Sequence, residues 1–135
     1  VTRNVIGPDV ALRIAEREAK LAAGQRLLAP TLLRSEVLAR LYASVQRGEL
    51  SRKDAERRLD HLRRLRIRLL GDRVLQRVAW EIAEALAWND TLAAEYLALT
   101  RLQADAFLTL DARLAKTAAR VVKVAPIAEL LGRKR

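Results

Sequence analysis

The chain has no cysteine, a single histidine, and only two Trp, two Tyr and one Phe among its aromatic residues. Without cysteine there is no disulfide framework and no thiolate metal site. His61 has no cysteine to pair with, and no Gly-x-Ser-x-Gly elbow is present, so a Cys–His pair and an α/β-hydrolase nucleophile elbow are excluded. Neither Gly-x-x-x-x-Gly-Lys nor Gly-x-Gly-x-x-Gly occurs, which leaves nucleotide binding of those types without support. There is no Phe/Tyr platform of the kind on which RNA-binding sheets stack bases. No apolar run approaches the roughly 20 residues a membrane span needs. No basic-then-apolar N-terminal segment resembles a signal peptide, and the expected location is the cytoplasm.

What remains is a chain of 135 residues, 51% apolar and carrying a net charge of +10. That is the size of one domain with one core, expected to span residues 1–135. The charge is uneven. Arg52 to Arg77 holds ten Arg/Lys against four acids, and Asp111 to Arg135 holds seven against two. Between them, Val78 to Leu110 has five acids and only Arg101. Basic flanks around a more acidic centre suit a polyanionic partner, although a solvated Arg-rich surface would give the same count.

Apolar periodicity alternates short strands with amphipathic helices. Strands are expected at Asn4–Pro8, Arg26–Ala29, Leu65–Leu69, Ala106–Leu110 and Val121–Val124. Helices are expected at Val10–Ala22, from Pro30-Thr31 to Arg47, from Ser51 to Arg64, at Arg73–Ala87, Thr91–Leu102 and Ala112–Ala119, with Pro126 opening a last turn. The pattern predicts an α/β fold: a central, mainly parallel sheet of about four to five strands with helices on both faces.

Asp9, Glu36 and Asp111 each fall just past a predicted strand. Ligands of open parallel sheets bind outside the carboxyl ends of the strands, so these three acids are expected to converge at one edge. Oxygen donors alone suit Mg²⁺ or Mn²⁺ rather than zinc. Each acid also has a plainer reading: Asp9 and Asp111 are placed as N-caps would be, and Glu36 as an ordinary exposed helix residue. Trp80 and Trp88, two turns apart, are expected to pack on the core or a partner, and His61 to be a surface or half-buried helix residue.

The stretch Leu27-Leu-Ala-Pro-Thr-Leu-Leu-Arg-Ser-Glu36-Val-Leu resembles the second signature of PIN-domain ribonuclease toxins of the VapC type. Asp9, after the first strand, resembles that family's first acid. Glu95-Tyr-Leu-Ala-Leu-Thr followed by Ala104-Asp-Ala-Phe-Leu-Thr-Leu-Asp111-Ala-Arg-Leu resembles its C-terminal signature. The resemblance spans nearly the whole chain. It implies a metal-dependent endoribonuclease, the toxin of a toxin–antitoxin pair, with Mg²⁺ or Mn²⁺ held by Asp9, Glu36 and Asp111. It also implies a structured RNA substrate such as tRNA or rRNA, a cognate antitoxin and a homodimer. One departure stands out: the family's third acid, three residues before its Tyr, is here Ala93. Asp90 lies three residues earlier, about 60° away around a helix, and is a possible substitute ligand and catalytic acid. Glu95 is expected to point away and Asp105 to sit at the wrong end of its strand. The alternative is therefore a catalytically impaired PIN-like module that binds RNA or protein. A basic DNA-binding regulator is disfavoured, because no tight helix-turn-helix pair is visible.

Overall fold

Four parallel strands in the order β3-β2-β1-β4 form the sheet of the computed structural model, which describes residues 1–131. In chain order these are β1 (Thr2–Ile6), α1 (Pro8–Glu16), β2 (Gln25–Pro30), α2 (Leu32–Gln46), α3 (Arg52–Arg64), β3 (Arg68–Leu70), α4 (Arg73–Ala85), α5 (Leu92–Gln103), β4 (Ala106–Leu108) and α6 (Ala112–Ala118), before a 3₁₀ turn at Ile127–Leu130. The fold is α/β, as the alternation implies. Arg133, Lys134 and Arg135, part of the basic C-terminal stretch, lie outside the described residues. Among those described, no helix is long and apolar enough to cross a membrane.

β1 is the pivot. It pairs with β2 on one side and β4 on the other, Val5 standing opposite both Leu28 and Phe107. The chain steps from β1 to β2 to β3, then returns across the sheet to β4. Parallel crossovers are right-handed, so a reversal of direction moves the connecting helices to the opposite face. Packing agrees: α1, α2 and α3 touch one another, while α4 packs on α5, which spans β1, β2 and β4. Asn4, Val5 and Ile6 consequently have no exposed surface at all, the signature of a strand covered on both faces.

Several elements are shorter than their apolar patterns predict, each for a local reason. α1 ends at Glu16, because Glu18 adopts a positive φ of 47° that breaks the helix well before Gly24. Pro30 closes β2 rather than opening α2. The Leu65–Leu69 alternation does set Leu65, Ile67 and Leu69 inward of Arg66 and Arg68. Yet pairing starts only at Arg68, since Leu65 caps α3 and Arg66 takes a φ of 54°, outside the β region. At the other edge, the amides of Val121 and Val122 both donate to Ala118 O, each at 3.0 Å, to finish α6. Only Val124 is left to bridge Phe107, so the expected fifth strand is a single bridge. The capping residues behave as their types dictate: Ser51 Oγ accepts from Asp54 N at 3.1 Å and Asp72 Oδ1 from Leu75 N at 2.8 Å.

Candidate functional site

Because β1 and β4 are neighbours whose chains leave the sheet towards different partners, their carboxyl ends frame the crevice where open α/β sheets hold ligands. Gly7 N donates to Leu108 O at 3.0 Å, carrying the pairing one residue past the strands. Gly7 occupies the N-cap position of α1 and Pro8 its first turn. Asp9 is thus inside the helix, and its carboxylate turns away towards β4. Oδ2 accepts from the Thr109 hydroxyl at 2.7 Å and from Leu110 N at 2.8 Å, while Oδ1 accepts from Val10 N at 2.8 Å. Asp9 is therefore not the N-cap, a position held by Gly7, although it still accepts from the first-turn amide of Val10. β4 is cut short at Leu108 by the same contacts, since Thr109 and Leu110 serve Asp9 instead of the sheet.

Gly7 leaves room for the Asp9 carboxylate rather than supplying backbone freedom. A β-carbon on it would lie 2.8 Å from Asp9 Oδ1. The Gly7-Pro8 approach therefore belongs to the mechanism that places the acid.

Asp111 does cap its helix: Oδ1 accepts from Arg113 N at 2.9 Å and Leu114 N at 3.0 Å. Thr109 Oγ1 accepts from Asp111 N at 3.2 Å while giving its own proton to Asp9, so one hydroxyl organises both acids. Glu36, on the second turn of α2, accepts from the Tyr96 hydroxyl at 2.5 Å. Tyr96 is itself buried, its ring tilted against Phe107 at 6.2 Å between centroids. Burial, then the bond to Glu36, pushes the phenol pKa far above its ordinary value, so the hydroxyl is a fixed donor. Asp90 sits in the turn ahead of α5, where Oδ1 accepts from Leu92 N at 3.0 Å.

Asp9, Glu36, Asp90 and Asp111 all line one cleft of about 810 Å³, together with Ala93, Tyr96, Thr109, Arg13 and Arg40. Sequence reasoning missed Tyr96 as the partner of Glu36. Glu95 does not line the cleft, as expected, but it is half-buried, and desolvation together with the Glu36 charge raises its carboxyl pKa. Asp105 is at the opposite edge, accepting from Arg3 N at 2.8 Å, as expected. His61 is a half-buried helix residue whose ring lies 3.3 Å from Ala19 O. Trp88 is partly buried and packs against the core, whereas Trp80 is 64% exposed.

The donors around the cleft are oxygens, the chemistry that suits Mg²⁺ or Mn²⁺. Among the described residues, no three His, Cys, Asp or Glu side chains form a ready-made cage for one ion. Mg²⁺ commonly binds through one or two carboxylates and keeps several waters, and the acids that line this cleft fit that mode.

No protein-family model matches the chain, and no curated protein matches it. Among solved structures it is similar to the crystal structure of PAE2754 from Pyrobaculum aerophilum, with a TM-score of 0.66 and 14% sequence identity over 94% of this chain and 90% of that one. At that identity the likeness speaks for the α/β fold.

Two outcomes follow from the geometry. Gly7→Ala is expected to displace the Asp9 carboxylate and destabilise the fold by about 1 kcal/mol, the net scale of a hydrogen bond lost where water can replace it; urea unfolding measures it. Glu95 has a folded pKa above its unfolded one, so the folded state binds more protons in that interval and its stability falls as pH rises through it. Glu95→Gln is therefore expected to be more stable than the parent at neutral pH in metal-free buffer, with the advantage vanishing below the ordinary carboxylate range. An equal gain at both pH values would mean the charge is not responsible.

Proposed function

We propose that the protein is a metal-dependent endoribonuclease of the PIN type, the toxin of a toxin–antitoxin pair, hydrolysing phosphodiesters of a structured RNA such as tRNA or rRNA. The observation that carries this reading is the gathering of Asp9, Glu36, Asp90 and Asp111 around one cleft at the switch point of a parallel sheet. Asp9, Glu36 and Asp111, with Asp90 beside them, would hold Mg²⁺ or Mn²⁺, which lowers the pKa of a bound water and neutralises charge on the scissile phosphate. The chain's own part is positional. Thr109 and the Leu110 amide fix Asp9, the Tyr96 hydroxyl fixes one oxygen of Glu36, and the helix cap fixes one oxygen of Asp111.

A second reading is a catalytically impaired PIN-like module that binds RNA or protein. It is favoured by Ala93, which lines the cleft on the first turn of α5 and brings no carboxylate. Cleavage assays separate the two. Asp9→Asn is expected to lower Mg²⁺- or Mn²⁺-dependent RNA cleavage by about 100-fold or more, and Ala93→Asp to raise both metal affinity and rate. Absence of metal-dependent cleavage from both the parent chain and Ala93→Asp would defeat the nuclease reading.

The proposed antitoxin has a surface suited to it. Leu33, Leu38, Leu59, Leu62 and Ile67 line an apolar groove of about 630 Å³ between α2, α3 and β3, edged by Arg34, Arg63 and Arg66. An amphipathic partner helix fits such a groove, and a partner Arg or Lys entering the acid cleft would relieve its repulsion. A homodimer belongs to the same reading. Partner affinity is expected to fall as Mg²⁺ rises, because both cations seek one site. Titration calorimetry showing no Mg²⁺ dependence would place inhibition elsewhere.

A further inference from the structure

The acid cleft contains two guanidiniums that the reaction as described leaves without a role. Arg13 lies one helical turn beyond Asp9 on α1, and Arg40 one turn beyond Glu36 on α2. Residues four apart share a helix face, and both arginines do line the same cleft as the acids that precede them. Neither makes an ion pair or a side-chain hydrogen bond among the described residues. The four ion pairs found there use Arg47, Arg52, Arg57 and Arg63. An i,i+4 acid–Arg pair on a helix ordinarily closes on itself, but here the carboxylates are turned to Thr109, Leu110 and Tyr96 instead. The arginines are left open. Arg40 is also close enough to Tyr96 for its charge to oppose the rise of the phenol pKa, which places that charge beside Glu36.

Electrostatics gives these charges a task. Five carboxylates line the cleft, from Asp9, Glu16, Glu36, Asp90 and Asp111, against the two guanidiniums. A polyanion meets repulsion there, and one divalent ion offsets only part of it. Free guanidiniums are the residues best matched to phosphate, through their forked donors.

Resting on the nuclease reading above, we propose that Arg13 and Arg40 are phosphate-binding residues that hold a single RNA strand by its backbone on either side of the acid centre. The cleft of about 810 Å³ lies within the roughly 300–1,000 Å³ of small-ligand sites, so it would take a short stretch of one strand rather than a duplex. Its remaining walls include Leu12, Leu92, Leu110 and Leu114, which carry no side-chain hydrogen-bonding groups to read base edges. Binding through Arg13 and Arg40 is thus a backbone grip, insensitive to base identity.

The salt dependence of binding counts such contacts. For single strands, the slope of log K against log salt changes by about 0.7 for each phosphate neutralised. A short phosphorothioate-linked single-stranded RNA, resistant to hydrolysis, is titrated by fluorescence anisotropy at fixed Mg²⁺ over a range of KCl. Arg13→Gln and Arg40→Gln are each expected to reduce the slope by about 0.7. Arg47→Gln removes the same charge from an arginine paired with Glu49 outside the cleft and is expected to leave the slope unchanged. Slopes for the two cleft variants no different from that of Arg47→Gln overturn the proposal, as does an absence of RNA binding by the parent chain. Cleavage of unmodified RNA is measured separately. Binding with the expected slopes but no cleavage by either the parent or Ala93→Asp supports the phosphate grip while defeating the nuclease reading. Cleavage with slopes indifferent to both variants does the reverse.

Discussion

The carboxylate of Asp9 joins the two halves of the molecule. It starts on α1, on one face of the sheet, and ends on Thr109 and Leu110, where β4 releases the chain towards α6. Its bonds hold the mouth of the crevice at a fixed width, and three consequences follow. Gly7 must be small, β4 must stop at Leu108, and Thr109 must direct its proton to Asp9 rather than Asp111. A carboxylate offers about four lone-pair sites, and three are taken by protein donors. Asp9 thus has a single acceptor direction left for a ligand, which makes it a monodentate partner and not a chelating one.

Much of the fold was legible because the apolar periods are clean. The alternation of strands and helices and the start of α3 at Ser51, whose side chain caps it, can be read from residue types. What was hidden depends on backbone geometry. Nothing in the residue types at Glu18, Arg66 or Ala87 announces a positive φ, yet these residues set where α1 and α4 end and where β3 begins. Apolar stripes also overstated burial. Leu33, Val37 and Leu41 of α2 are in the core, while Leu38 and Tyr42 of the same helix remain 55% and 65% exposed. A helix resting on one sheet buries only the arc that faces it.

The site was legible in part for a similar reason. Position after a strand is a topological signal, so Asp9, Glu36 and Asp111 could be placed at one edge without coordinates. Their hydrogen-bond partners could not. Tyr96 reaches Glu36 across 60 positions of sequence, a distance at which no local pattern operates. Glu95 was judged by helix angle alone, which says which way a residue starts but not what lies across from it. The Glu36 charge does lie near enough to act on it.

Ala93 changes the balance of charge in the cleft more than its shape. A carboxylate there would add a sixth negative group to the five already lining it, tightening a cation while repelling an RNA strand more strongly. Asp90 offers a compromise, fixed by the Leu92 amide at the N-terminus of α5, where the helix dipole stabilises an anion. Its charge is therefore partly satisfied by the protein, and its second oxygen has no protein partner among the described residues. An acid held that way draws a hydrated cation less strongly than a free one. On the proposed function, such a site releases metal and strand more readily, and the substrate's hold then depends on the guanidiniums of Arg13 and Arg40.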